Sequence, residues 1–321
     1  MIDFRYHLVS IVSIFLALAV GIVLGAGPLK EDLGNTLTEQ VAQLRQDRNN
    51  LRSQLSAQQR ETEARDSFVT AVSPRLTRDA LAGRTVAILV QPGAAAGLVQ
   101  QVSDALTGAG ARVGATVTLA DAWSDPAKRT LRAGLATELA PLVDAATGTA
   151  STDQLVSTVL ARSILRATDQ STTRVDQGAR QALEGLVAAD LLTVTPDDHA
   201  LSSAAVLVGA PVAGADPEVV TARLTSYVQL AAALDAAGSG TVVTAAADDT
   251  DPAASVGPVA AVRADPNAGK VVSTVDDANL PMGLTTLVLA LTREYDGVAG
   301  RYGLAKDAAA VTPDVAATTR R

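Results

Sequence analysis

The chain has 321 residues and a formal charge of −8, with no cysteine, two histidines and eight aromatic residues (one Trp, four Tyr, three Phe). These figures exclude disulfide staples, thiol catalysis and thiolate metal sites, and the acidity argues against nucleic acid as a partner. Length is ample for a real hydrophobic core.

The first element is an uncharged run from Leu8 to Gly27. Some 20 residues at about 1.5 Å rise span roughly 30 Å, the hydrocarbon thickness of a bilayer. The sequence predicts a transmembrane helix over 8–27 behind a cytoplasmic N-terminus, 1–7. The apolar stretch of a cleaved secretory signal is usually shorter, about 7–15 residues. Here the small-x-small triplet Ala17-Leu18-Ala19 lies inside the run, and a cut after Ala26 would place the large Leu24 third before it. An uncleaved anchor is the better reading. Arg5 and the free amine before the span, against Lys30 beside Glu31 and Asp32 after it, favour the N-terminus inside and the bulk of the chain outside. Ala17, Gly21 and Gly25 recur every fourth residue, a small-xxx-small stripe suited to close helix packing in lipid.

Residues 30–67 contain no proline, and Gly34 is the only glycine. Leu37, Leu44 and Leu51 fall seven apart, Gln58 continues the register, and Val41, Arg48, Leu55 and Thr62 form a second seam. This a/d pattern, narrow and flanked by charges of both signs, predicts a coiled coil and most simply a parallel homodimer. Arg48 in the seam weakens it and can set register or partner choice. Ser73-Pro74 is expected to break the helix.

The pattern then changes to that of an α/β domain over 80–305. A strand is predicted at Arg84–Gln91, a helix at Ala95–Leu106 closing at Gly108, and a strand at Ala111–Leu119, a βαβ unit that calls for a parallel sheet. Helices follow near Lys128–Ala145, Asp153–Leu165 and Arg180–Ala189. A second round has strands at Leu191–Val194 and Ser203–Val208, a helix over Pro217–Ala237 ending at Gly238-Ser-Gly240, and a strand at Thr241–Ala246. Further strands are expected near Val259–Val262 and Lys270–Val275, a last helix over Met282–Tyr295, and a flexible tail over 306–321. The fold class is α/β with a mostly parallel sheet covered on both faces. Residues 1–82 carry nine basic and nine acidic groups, so the whole net charge belongs to the domain.

Chemistry is sparse. His7 and His199 lie in different compartments on this topology, and no His-x-x-x-His pair, Gly-x-Ser-x-Gly elbow or phosphate-binding Gly-x-x-x-x-Gly-Lys-Ser/Thr loop occurs. Gly93-xxx-Gly97 between strand and helix reads as a turn. The clusters Asp197-Asp198-His199 and Asp248-Asp249-Thr250-Asp251 could hold a hard cation, but aspartates in polar loops more often cap helices and shape turns. No catalytic residue, cofactor site or metal site is assigned, and the chain is expected to be non-enzymatic.

Met1-Ile-Asp-Phe-Arg-Tyr-His-Leu-Val-Ser10, Phe15-Leu-Ala-Leu-Ala-Val-Gly-Ile-Val-Leu-Gly25, Leu81-Ala-Gly-Arg-Thr-Val-Ala-Ile-Leu89, Ser273-Thr-Val-Asp-Asp277, Leu284–Leu291 and Gly300-Arg-Tyr-Gly303 resemble, in the same order along nearly the whole chain, the actinobacterial copper-transport family of MctB-like proteins. The resemblance implies copper efflux or resistance, with a pore across a mycobacterial-type outer membrane and copper as cargo. It also extends to SteB-like proteins, membrane-anchored dimers that work in cell separation with a cytoplasmic partner and a peptidoglycan hydrolase. The residues speak unevenly for these roles. Cu(I) favours Cys, Met and His, and this chain has two Met (Met1 and Met282) and two His. An outer-membrane barrel needs many alternating strands of about 10 residues with aromatic girdles. Copper export and a dimeric envelope scaffold are therefore both carried forward, the scaffold favoured on physical grounds.

Overall fold

A computed structural model describes residues 4–26, 28–148, 150–166, 175–212, 214, 216–247 and 257–314, without the side chains of 26 and 28–38. The chain divides into two units, Met1–Arg65 and Asp66–Arg321.

The first unit is helical. α1 runs Phe4–Ala26, and its stretch Phe4–Gly25 is long and apolar enough to cross a membrane. Ser13 returns its hydroxyl to the Val9 carbonyl at 2.8 Å, which removes the cost of a bare hydroxyl in lipid. α2 runs Pro28–Thr77 and so ends in the second unit. The expected break at Ser73-Pro74 does not occur: Pro74 lies inside α2. A proline removes one backbone donor, yet hydroxyls support this last stretch. Ser73 Oγ bonds Val69 O at 2.7 Å, Thr77 Oγ1 donates to Ser73 O at 3.0 Å, and Ser73 Oγ also meets Thr285 Oγ1 at 2.6 Å. Tertiary packing overrides the local breaker.

In the second unit, β1 (Thr85–Val90), α3 (Ala96–Gly108) and β2 (Arg112–Leu119) form the expected βαβ unit. α4 (Arg129–Leu139), α5 (Thr152–Ile164) and α6 (Gln177–Ala188) follow, then β3 (Leu192–Thr195), β4 (Ala204–Val208), α7 (Pro217–Ala237) and β5 (Thr241–Thr244). The chain closes with α8 (Pro258–Ala264), α9 (Ala268–Val271), β6 (Ser273–Val275), α10 (Pro281–Tyr295) and β7 (Arg301–Tyr302). The seven-stranded sheet has the order β3-β2-β1-β4-β5-β6-β7. All neighbours are parallel except β3, which runs antiparallel at one edge.

Buried strands of a parallel sheet carry apolar side chains on both faces, and alternation along β1 and β4 sorts them into two cores. Ala87, Leu89, Ala205 and Leu207 face the core shared with α4 to α8, whereas Val86, Ile88, Val206 and Val208 face α3 and α10. The result is a three-layer α/β sandwich.

Two local expectations are corrected. Val259–Val262 is not a strand but part of α8, which opens on Pro258 at its first turn, where a proline's missing N–H costs nothing. Its alanines support the helix, and Val259, Val262 and Arg263 share its buried face. Lys270–Val275 shortens to β6 because Ala268–Val271 forms a helical turn. β7 lies within the Gly300-Arg-Tyr-Gly303 motif, which had not been read as a strand.

Candidate functional site

Helix α2 presents its predicted seam in the open. Leu44 is 67% and Leu51 64% exposed, with Val41, Arg48 and Leu55 exposed beside them. The Leu37 side chain lies outside the described residues. Leucines spaced by seven on a solvated helix leave apolar surface without cover, each worth about 1.5–3 kcal/mol if buried. In α1, Ala17, Gly21 and Gly25 are exposed, and nothing lies within 4 Å of where a Cβ would stand at either glycine.

Inside the sandwich, the strand order changes direction between β1 and β4, the place where doubly wound sheets bind ligands beyond the strands' carboxyl ends. Here that crevice is clasped. Gln91, immediately after β1 and 2% exposed, donates from Nε2 to Ala210 O at 2.9 Å and accepts Ala210 N–H on Oε1 at 3.2 Å. Pro258 packs directly on the Gly209 backbone, leaving no room for a Cβ. Gly93, at φ +88°, makes the turn before α3.

The two short motifs singled out in the sequence meet at the far end of the sheet. Thr274 N–H bonds Gly300 O at 2.9 Å, and Gly300 N–H bonds Ser273 Oγ at 3.0 Å. Asp276 accepts the N–H of Leu304 at 2.7 Å and pairs with Arg263 at 2.8 Å. Arg263 is the residue that sequence reading missed. From α8 it donates Nε to Thr274 Oγ1 (2.8 Å) and Nη2 to Tyr302 O (2.6 Å), and its Nη1 reaches Asp307 as well (2.8 Å). Its only signal was one arginine inside the apolar run Pro258–Ala264. The neighbouring Asp277 is buried, and neither carboxylate oxygen has a hydrogen-bond partner among the described residues. Burial, and then the Asp276 charge, push its carboxyl up to about 6.

At the start of the same strand β6, Glu294 Oε1 accepts the Ser273 N–H at 2.7 Å. Burial raises its carboxyl to about 7, and burial raises nearby Asp235 to about 6. The Glu294 bond ties helix α10 to β6. These carboxylates do not converge on a metal: among the described residues no group of three or more His, Cys, Asp or Glu is placed to hold one. His199 is buried in the turn after β3, where desolvation lowers its pKa, and Met282 is half-buried at the start of α10. His7 is exposed on α1; Met1 and the cluster Asp248-Asp249-Thr250-Asp251 lie outside the described residues.

Among the described residues, two cavities on the sandwich bear on function. One, about 340 Å³ and largely apolar, runs between the end of α2, α3 and α10, with Ser73, Thr77, Ala105, Leu284, Thr285 and Val288 among its walls. The other, about 230 Å³, lies between α4, the start of α5 and α7.

The family model described as "Copper transport outer membrane protein, MctB" matches residues 1–313. The chain belongs to the MctB family. Relatives named "Copper transporter MctB" from Mycobacterium tuberculosis and Mycobacterium bovis are each 31% identical over 318 residues, covering 97% of this chain and 99% of theirs. A relative of the same name from Mycobacterium leprae is 29% identical over 322 residues. The MctB-family match therefore takes in the apolar α1, the leucine seam of α2 and the whole sandwich in one continuous span.

Proposed function

We propose that this MctB-family chain is a membrane-anchored, non-enzymatic homodimer that contributes to copper efflux by what it holds at the membrane, not through a conduit of its own. The observation that carries this reading is the exposed heptad seam of α2, Val41, Leu44, Leu51 and Leu55, which a second copy in parallel would cover. The charge balance around α1 supports an anchor in the cytoplasmic membrane with the sandwich outside. A lipid-facing barrel is a poor match for an open sheet whose strands of two to eight residues are covered by helices on both faces. Direct coordination of Cu(I) along a path is a poor match for a chain without cysteine and with two methionines and two histidines.

A second reading rests on the same seam and needs no metal ligand: a scaffold for cell separation, whose coiled coil engages a peptidoglycan hydrolase while its N-terminus meets a cytoplasmic partner. Deletion in the source organism, scored for copper sensitivity and for chained, unseparated cells, distinguishes the two. The first reading expects copper sensitivity that wild-type complementation reverses and that a chain carrying Leu44→Asp and Leu51→Asp does not. Chaining with unchanged copper tolerance would replace it with the second. Stoichiometric, tight copper binding by the purified full chain would overturn the non-coordinating part of both.

A further inference from the structure

The heptad register of α2 does not stop at the stalk. Counted in sevens from Val41 it reaches Arg48, Leu55, Thr62, Val69 and Leu76, and from Leu44 it reaches Leu51, Gln58, Arg65 and Val72. The seam is polar at Gln58, Thr62 and Arg65 and then apolar again at the end of the helix, which belongs to the second unit. There the sides of α2 have different tasks. Ser73 meets Thr285 of α10, and Thr77 is buried. Val69 and Val72 are half-buried. Leu76, in the seam, stays 46% exposed, and Phe68, which flanks the seam one place before Val69, is 67% exposed. The chain has three phenylalanines, and the other two, Phe4 and Phe15, lie on the apolar α1. The single phenylalanine of the second unit is therefore on its surface, although aromatic side chains ordinarily dominate cores and interfaces.

A second copy of the chain is the occupant this surface fits, for reasons of register and of area. In a parallel pair related by a two-fold axis each seam position faces its own counterpart, so pairing through Leu44 and Leu51 also sets Leu76 against Leu76 of the other copy. A slip of one heptad would instead put Leu55 against Thr62 and Leu51 against Gln58, so the polar middle between two apolar ends admits one register. Burying one apolar side chain of this size removes on the order of 60–120 Å² from water. Val41, Leu44, Leu51 and Leu55 of two copies thus bury about 500–1,000 Å², short of the range of about 1,200–2,000 Å² for a stable, specific interface. Adding Phe68 and Leu76 raises this to about 700–1,400 Å², which reaches that range.

We propose that Phe68 and Leu76 form a second patch of the homodimer interface, at which two copies of this chain meet at the sandwich end of α2. The patch rests on the homodimer reading above and adds to it that pairing resumes beyond the polar stretch 58–65. Because the chain has no cysteine, one introduced at a time reports which positions face each other. A disulfide needs Cα atoms about 4.4–6.8 Å apart, so it links two copies only where a position meets its counterpart. The full chain in a non-ionic detergent is oxidised and run on a non-reducing gel as Leu55→Cys, Leu76→Cys or Ser67→Cys, the last at an exposed residue on the far side of the helix. Covalent dimers are expected from Leu55→Cys and Leu76→Cys and not from Ser67→Cys. A link at Leu55 without one at Leu76 overturns the patch and leaves the seam dimer standing. No link at either position removes the homodimer reading and the patch with it, whereas a link at Leu76 alone keeps the patch and moves the dimer off the seam. Equal linking at Ser67 reduces the contact to random collision and rejects it. Phe68→Ser with Leu76→Ser gives the strength of the contact: sedimentation should show the dimer dissociation constant raised about tenfold. The melting temperature should be unchanged, since both residues are exposed. An unchanged dissociation constant rejects the patch.

Discussion

The two units of the chain solve the hydrophobic problem in opposite ways. The sandwich from Asp66 onward turns its apolar residues inward onto both faces of one sheet. In the described part of the helical unit nearly every large apolar side chain faces outward, from Phe15 and Leu24 on α1 to Leu44 and Leu55 on α2. A domain of the first kind is complete as a single chain. A helix of the second kind is stable only against lipid or another helix, because isolated helices gain most of their stability from packing. The difference teaches where to look for association: in the helical unit, with the sandwich contributing what is carried.

The widest separation between the units should appear in Leu44→Asp with Leu51→Asp. The full chain is expected to sediment as a dimer in detergent and the double variant as a monomer, with the sandwich unfolding at the same denaturant concentration. A double variant that remains dimeric would move the interface off the seam. The next effect runs the other way. Arg263→Met leaves Asp276 without its cation, and removing one partner of a buried pair costs about 3–5 kcal/mol. Denaturant titration should show that loss in the sandwich, with the dimer unaffected; a change under about 1 kcal/mol would mean that the backbone bonds to Asp276 suffice.

The smallest effect is in pH. Glu294 titrates near 7 in the folded chain against an ordinary 4.5, so the native state holds this proton where the unfolded state has lost it. Its contribution is therefore most favourable below about pH 4.5 and declines as pH rises to 7, by up to about 3 kcal/mol. Asp235, raised to about 6, acts in the same sense. Glu294→Gln keeps an acceptor for the Ser273 N–H without a charge to bury. It should be more stable than the parent above pH 7 and show a flatter profile, measured by thermal melts across pH.

Much of this was legible in the sequence, for physical reasons that differ by region. The βαβ start could be read because Thr85–Val90 is a continuous apolar run and α3 closes near a glycine. The helix Pro217–Ala237 could be read because Asp216-Pro217 opens it and Gly238 ends it. Pro74 misled because its compensation comes from Thr285, more than two hundred residues away. Val259–Val262 misled because a short apolar run has no period of its own and takes its form from what packs on it. The seam was plain in the heptads, but the Arg263 network was not. It gathers residues from α8, β6, β7 and the chain beyond, and no spacing announces that.

The clasp at Gln91 has a mechanical consequence. In doubly wound proteins the crevice beyond the strands' carboxyl ends at the switch point is the line where ligands enter. Here a side-chain amide completes the hydrogen bonding across that line as if it were one more peptide unit. β1 and β4 are stitched together past their ends, so the crevice between them is closed by the chain's own amide.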